Sequence, residues 1–161
     1  MRFSNRSLSL SRLTHPAATV GLWLFPFTIY HIVLSLRVSM TRQTHNQAVG
    51  DRSTPSSSRS ATPETDPLFL IIRSHSNFTE NVPVAFILAA SVELNGGNKT
   101  YLNLVLANFF IMRIVHVEFG LLAKGKGGLG WGRTAGGLTT LGTLAILAGW
   151  NAWLCREGLE V

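Results

Sequence analysis

Apolar residues fall into four segments along the chain, and the first and last of these are long and free of charge. No Asp, Glu, Lys or Arg occurs between Arg12 and Arg37, and none occurs in 134–155. At about 1.5 Å of rise per residue, each segment is long enough to cross a bilayer as a helix. The pattern therefore predicts membrane spans at 17–37 and 134–155.

The two middle apolar segments are interrupted by charges. Their longest charge-free runs are only 81–92 and 100–112, separated by the turn signal of 95–98, Asn-Gly-Gly-Asn. Spans at 67–92 and 100–123 would carry ionisable groups inside the membrane, where such groups are costly and usually functional. The predicted fold class is an all-α membrane protein with four transmembrane helices in an antiparallel bundle.

Two hydrophilic stretches lie outside these spans. Residues 1–16 include Arg2, Arg6 and Arg12, and no acidic residue precedes Asp51, which fits either a basic flank of the first span or a mitochondrial presequence. Residues 41–66 are rich in Ser, Thr and Pro, which predicts a mobile loop. A single membrane domain is therefore expected over 17–154.

Composition agrees with the membrane class and excludes several others. With 46% hydrophobic and 14% charged residues, the chain is too apolar for an ordinary soluble domain. The formal charge of +6 is spread over segment ends with no long run of Lys or Arg, so a basic rim facing lipid fits better than nucleic-acid binding. The single Cys155 excludes an internal disulfide, and no Glu-x-x-His or His-x-x-x-His pair predicts a metal site on the spans.

One face of the second span combines polar groups that are expensive to bury. Arg73, Asn77 and Glu80 are spaced i, i+4 and i+7, so they share one side of a helix. An antiparallel bundle would bring further polar groups of the other spans to the same end, namely Arg37, Arg113, His116 and Arg133. Two interpretations stay open: ion pairs that hold the bundle together, or a pocket for a small peptide-like anion, with Arg binding carboxylates in bidentate fashion.

Basic residues also predict the side of the membrane on which these groups lie. The stretches from Arg37 to Arg73 and from Lys124 to Arg133 together contain more Lys and Arg than the two termini and the turn near Asn95. Because loops with more Lys and Arg remain in the cytosol, the polar end of the bundle is expected there.

The motif Arg-x-x-x-Asn-x-x-Glu-x-x-Pro at 73–83, followed by Met112-Arg113-Ile-Val-His116 and Arg133-Thr134, resembles the MAPEG family of membrane proteins in eicosanoid and glutathione metabolism. The similarity covers about 17–154. The resemblance implies a homotrimer of four-helix subunits, with glutathione as co-substrate bound between protomers at the cytosolic side. It also implies roles for matching residues: glutathione binding for Arg37, Arg73, Asn77, Glu80, Arg113 and His116, and thiol activation for Arg133 with Thr134.

The chain departs from the family pattern near this predicted pocket. Where many members have tyrosines, it has Asn81 in the second span and Glu118, Phe119 and Gly120 in the third, and Glu118 adds a negative charge that would oppose thiolate formation. Two functional hypotheses follow. The first is a glutathione-dependent transferase or peroxidase acting on lipophilic electrophiles or lipid peroxides in the endoplasmic reticulum or, alternatively, a mitochondrial membrane. The second is a non-catalytic trimeric lipid-binding or scaffold protein of the same fold.

Overall fold

The computed structural model describes residues 17–53 and 66–159, with side chains to Arg156, and these residues fold as four helices. Helix α1 is Ala18–Thr44, α2 is Pro67–Leu94, α3 is Lys99–His116 and α4 is Trp131–Leu159, and a π-helical turn, Val117–Leu121, continues α3. The all-helical prediction is therefore confirmed over these residues. By length and apolar composition, three of the described segments could cross a membrane: 18–44, 99–121 and 131–156.

Two of the helices extend beyond the limits predicted for them. Helix α1 continues through Thr44, so the predicted loop at 41–66 begins too early, and α4 begins at Trp131 rather than at 134. The physical reason is that a helix continues as long as its backbone hydrogen bonds continue. Helical turns with polar side chains can therefore extend a helix beyond its apolar part. The predicted basic flank at 1–16 and most of the remaining loop, 54–65, lie outside the described residues.

Side-chain caps define where α2 and α3 begin. The carboxylate of Asp66 accepts hydrogen bonds from the backbone N–H groups of Leu68 (3.0 Å) and Phe69 (3.2 Å), and Pro67 follows it at the first helical position. Asn98 caps α3 in the same way through the N–H groups of Thr100 and Tyr101. The predicted turn at 95–98 is thus confirmed.

Contacts at both ends of the bundle show that α1 and α2 run in opposite directions. At one end, the buried carboxylate of Glu93, near the end of α2, accepts from the N–H groups of Thr19 and Val20 at the start of α1, both at 2.9 Å. At the other end, Ser35 of α1 contacts His75 of α2 at 3.0 Å. Helix α4 packs on α3 and α2. Arg113 of α3 contacts Asn77 of α2, and His116 of α3 contacts Arg133 of α4, so the N-terminal part of α2, the C-terminal end of α3 and the start of α4 meet at one end.

An aromatic cluster fills the centre of the bundle. Phe27 of α1 is 2% exposed and lies with its ring centroid 4.9 Å from Phe86 of α2 and 5.5 Å from Phe109 of α3. Phe78 joins the cluster from the polar end of α2, 6.1 Å from Phe27. Aromatic pairs at these separations contribute about 0.5–1.5 kcal/mol each beyond the area they bury. This core fixes how α2 and α3 are turned about their own axes, and thereby which of their side chains face each other at the polar end.

Glycine brings α4 close to the end of α3. A Cβ atom on Gly132 would collide with the carbonyl oxygen of Val115, and one on Gly136 would collide with the Cβ of His116. The helices approach this closely only because both positions lack side chains. The Gly132–Gly136 spacing thus places the first turns of α4, including Arg133, directly against His116.

Candidate functional site

A buried arginine lies at the centre of the polar end of the bundle. Arg113 of α3 is 1% exposed, and its guanidinium donates to Asn77 Oδ1 of α2 at 2.5 Å and to Thr140 Oγ1 of α4 at 3.0 Å. Its Cζ lies 5.9 Å from the centroid of the Phe78 ring, close enough for a cation–π contact. Arg113 therefore joins three helices through one side chain.

The charge of Arg113 is not balanced by a carboxylate. No acidic side chain of the described residues lies within ion-pair distance of it, and its Nε has no hydrogen-bond partner among them. A buried cation is costly unless it is paired, so an anion bound beside Arg113 would offset that cost. The polar end of the bundle is thus suited to an anionic ligand.

An open cavity of about 510 Å³ adjoins Arg113 on the α2–α4 side. Arg133 and Thr134 at the start of α4 line it together with Thr140 further along the same helix. Its remaining wall is formed by Asn77, Asn81, Leu129, Gly130, Gly137, Leu138 and Leu141. We call this the larger arginine cavity; no acidic residue lines it, and a molecule the size of a small peptide fits within this volume.

A second cavity of about 310 Å³ lies on the other side of Arg133 and Asn77, which line both. Arg73 of α2 and His116 of α3 line this smaller arginine cavity, and its apolar wall includes Phe69, Leu70 and Leu121. The His116 Nδ1–H donates to the backbone carbonyl of Arg133 at 3.0 Å. Because a carbonyl oxygen can only accept, this bond requires a proton on Nδ1.

The structure therefore brings six of the eight predicted site residues around two adjoining cavities, and it places the other two elsewhere. The six are Arg73, Asn77, Arg113, His116, Arg133 and Thr134. Glu80 is exposed and lines neither cavity. Although it shares a helical face with Arg73, it lies almost two turns further along α2, towards the apolar part of the bundle.

Arg37 pairs with an acidic residue instead of facing the cavities. Its Nη1 lies 2.5 Å from Glu118 Oε1, and the Tyr30 hydroxyl donates to the same oxygen at 3.1 Å. Glu118 thus has its charge compensated on the α1 side of the π-helical turn. The expectation that Glu118 opposes a thiolate in the pocket is not supported by this geometry, and the ion-pair interpretation holds for Arg37.

Sequence reasoning missed Thr140, although a signal for it was present. Arg133, Gly137 and Thr140 repeat on α4 the i, i+4, i+7 spacing of the α2 face, and all three line the larger cavity. Asn81 also lines it, and its amide donates to the Asn77 backbone carbonyl at 2.8 Å. The loop residues Leu129 and Gly130 carried no signal, because their place depends on how the loop folds back.

Metal binding has no support in the part of the chain that the structure describes. No group of three or more His, Cys, Asp or Glu side chains in 17–53 and 66–156 is placed to hold an ion. The chemistry open to the site is that of guanidinium, amide, hydroxyl and imidazole groups acting on a bound anion.

A family model described as the MAPEG family matches residues 20–153, which include all four helices almost entirely and every residue of the two cavities. A search of curated proteins found no match.

Proposed function

The chain belongs to the MAPEG family of membrane proteins, and on that premise we propose that it is a glutathione-dependent transferase or peroxidase acting on lipophilic electrophiles or lipid peroxides. The family also includes non-catalytic members, so the proposal rests on the site itself. The observation that carries it is the pair of adjoining cavities with Arg73, Arg113 and Arg133 around them and no acidic side chain in their walls.

Glutathione complements this distribution of charge. It is a tripeptide with two carboxylates, one ammonium group and one thiol. Arg73 and Arg113 would hold the carboxylates by charge-assisted hydrogen bonds, and Asn77 between them would position a peptide group. His116 would support Arg133 through its hydrogen bond to the Arg133 carbonyl. Glu80, exposed on the single chain, would accept the ammonium group at a boundary with a neighbouring subunit.

Arg133 and Thr134 would carry the chemical step. A thiol has an ordinary pKa near 8.5, and a guanidinium in a site of low dielectric constant lowers that pKa by about one unit or more. Arg133 would therefore hold the sulfur as thiolate at neutral pH, with the Thr134 hydroxyl as a further donor. The thiolate would attack an electrophilic carbon to form a thioether, while a leaving group departs or the substrate takes up a proton. With a lipid hydroperoxide it would break the O–O bond, releasing the alcohol and forming glutathione sulfenic acid, which a second glutathione converts to the disulfide and water.

The proposal extends to assembly and location. Both cavities open to the surface of the single chain, and large apolar side chains such as Leu138 and Leu141 beside the larger one are 67% and 64% exposed. A homotrimer would cover this surface and close the cavities. With four spans, the arginine end would face the cytosol, and the endoplasmic reticulum is the expected membrane.

The test measures the thiolate directly. Full-length protein in detergent is mixed with glutathione at neutral pH, and thiolate absorbance is recorded for wild type and Arg133→Ala. We expect a clear thiolate signal for wild type and a loss of about tenfold or more in the variant, in line with one pKa unit. Two controls sharpen the result: Arg133→Lys, which keeps a charge, and Arg52→Ala, which removes an exposed arginine outside both cavities.

The alternative function has a distinct outcome in the same assay. If glutathione does not bind to wild type, the protein is better described as a non-catalytic trimeric lipid-binding or scaffold protein that has kept the polar end for stability. If glutathione binds but its thiolate signal is the same in Arg133→Ala, Arg133 is not the activating residue and the catalytic assignment fails.

A further inference from the structure

A third cavity, separate from the arginines, lies between the start of α2 and the loop that follows α3. It has a volume of about 410 Å³ and is lined by Pro67, Leu70, Ile71, Leu122, Ala123, Lys124, Gly125 and Gly127. Leu70 and Gly127 also line the smaller arginine cavity, so they form the partition between the two. We call it the loop cavity.

The loop that forms one wall of the loop cavity is held in place by packing on α2 and by hydrogen bonds. Gly128 has a positive φ of 73°, and a Cβ there would lie 2.8 Å from Leu70 Cδ2, so the loop rests directly on α2. At its two ends the loop is tied by hydrogen bonds from Leu122 N to Val117 O at 2.8 Å and from Gly130 N to Gly120 O at 3.2 Å. The cavity walls are thus held by both α2 and the end of α3.

The loop cavity is basic at its mouth and apolar inside. Lys124 lines it and Lys126 is exposed two residues further on, while Leu70, Ile71 and Leu122 are half-buried in its wall. No acidic residue occurs between Phe119 and Arg156. The nearby carboxylate of Asp66 is 2% exposed and already accepts from Ser53 Oγ at 2.7 Å and from Leu68 N. Neither lysine forms an ion pair with a carboxylate of the described residues.

From the lengths and apolar composition of the segments on either side, the loop is expected where a bilayer ends. The apolar segments 99–121 and 131–156 stop on either side of it. Leu129 and Trp131 are 68% and 67% exposed, and tryptophan at the end of a span is typical of the membrane–water interface. The lysines would therefore lie at the depth of lipid headgroups and the apolar wall at the depth of the first acyl carbons.

We propose that the loop cavity binds one anionic phospholipid. Its phosphate would lie against the ammonium groups of Lys124 and Lys126, and the upper part of an acyl chain would lie along Leu70, Ile71 and Leu122. Basic residues at the cytoplasmic ends of membrane helices attract anionic headgroups, with an effect of roughly fivefold in affinity for each lysine. The apolar wall distinguishes this site from one for a free anion.

The experiment titrates full-length protein in dodecyl maltoside with dioctanoyl phosphatidylglycerol, dioctanoyl phosphatidylcholine or inorganic phosphate. Thermal unfolding reports stabilisation, and native mass spectrometry counts bound lipid. We expect phosphatidylglycerol to raise Tm with saturation and to form a one-lipid complex. The double variant Lys124→Gln/Lys126→Gln should weaken that binding by about tenfold or more, whereas Lys99→Gln, at the opposite end of the bundle, should leave it unchanged.

Three results would overturn the proposal. Equal stabilisation by phosphatidylcholine would mean that the loop does not select an anionic headgroup. Equal stabilisation by inorganic phosphate would make the site one for a free anion. Unchanged lipid counts in the double variant would place the lipid elsewhere, and because both lysines are exposed, a folded variant is expected and its far-ultraviolet circular dichroism checks this.

Discussion

Arg113 both links three helices by hydrogen bonds and lines the proposed ligand site. Two of its donors are used by Asn77 and Thr140, which ties α3 to α2 and α4, while Nε keeps no partner in the described residues. Hydrogen bonds to a charged group contribute about 1.5–3 kcal/mol each. The same side chain that stabilises the bundle therefore also leaves a positive charge beside the larger arginine cavity.

Replacing Arg113 by lysine tests this double role. A lysine has one nitrogen on a flexible stem and cannot reproduce two divergent guanidinium bonds. We expect Arg113→Lys to lower the free energy of unfolding by about 1–3 kcal/mol, measured by chemical denaturation in detergent. Arg133→Lys is the matched control, because Arg133 is exposed and should cost little stability. Equal losses in the two variants would contradict the structural role of Arg113.

A second single residue, Asp66, should make the stability of the fold depend on pH. Burial alone would raise the pKa of its carboxyl, but hydrogen bonds from Ser53 and from the N–H groups of Phe69 and Leu68 outweigh it, so the pKa lies below its ordinary value of 3.8. Because folding lowers the pKa of Asp66, its ionised carboxylate stabilises the folded state. This stabilisation is complete at pH values above the pKa of Asp66 in the unfolded chain, and it is lost as the pH falls through the lower pKa of the folded state.

The corresponding measurement compares wild type with Asp66→Asn across acidic pH. Asparagine still caps α2 but does not titrate, so the difference in stability between the two proteins should shrink as pH falls below about 4. Asp66→Ala should cost about 0.5–2 kcal/mol at neutral pH through loss of the cap. A difference between wild type and Asp66→Asn that is constant with pH would refute the linkage.

At the scale of elements, the contact between α4 and the end of α3 sets the position of the site. The π-helical turn Val117–Leu121 displaces the end of α3 relative to a regular helix, and Gly120, Gly132 and Gly136 lie in the interface where the backbones meet. This contact holds Arg133 next to His116. The position of the proposed activating residue thus depends on small residues that carry no side chain for a ligand.

Two glycine variants of α4 separate packing from helix propensity. Gly132→Ala would place a methyl group against the backbone of Val115, Phe119 and Gly120, and we expect a loss of about 1–3 kcal/mol from overpacking together with weaker glutathione binding. Gly142→Ala meets no atom within 4 Å, so it should raise stability by up to about 1 kcal/mol. Thermal unfolding of both decides the matter, since a stabilised Gly132→Ala is incompatible with the close packing.

At the scale of the whole molecule, the number of spans depends on α2. The described segments 18–44, 99–121 and 131–156 are apolar enough to cross a membrane, while α2, with Arg73, Glu80 and Glu93, is not among them. Its buried face packs on α1 and α4, so bundle contacts rather than lipid surround much of it. The proposed four-span topology requires that neighbouring helices shield the charges of Arg73, Glu80 and Glu93 from lipid.

Cysteine labelling distinguishes four spans from three. In a Cys155→Ser background, single cysteines are introduced as Val49→Cys and Lys126→Cys, both at exposed positions on either side of the α2–α3 pair. A membrane-impermeant maleimide applied to sealed vesicles should label both from the same side if α2 and α3 both cross. Labelling from opposite sides would show that α2 does not cross. In a separate experiment on the wild-type protein, Cys155 should react from the side opposite to Lys126→Cys.

The sequence by itself determined the helical class, the approximate positions of the four helices, and the grouping of polar residues at one end. It could do so because apolar length, turn residues and charge spacing are local properties of the chain. The Arg73–Asn77 face and the Arg113–His116 pair are local patterns of this kind, and so is the family resemblance that the match over 20–153 confirms.

Only the tertiary structure decided which of those polar residues meet. Spacing places Arg37 and Glu80 at the polar end, yet Arg37 pairs with Glu118 and Glu80 remains exposed, whereas Thr140 and Asn81 join the larger cavity. The reason is that rotation of a helix about its own axis is set by what it packs against, here the Phe27 cluster and the α4 glycines. Such packing pairs residues far apart in the chain, which no local pattern encodes.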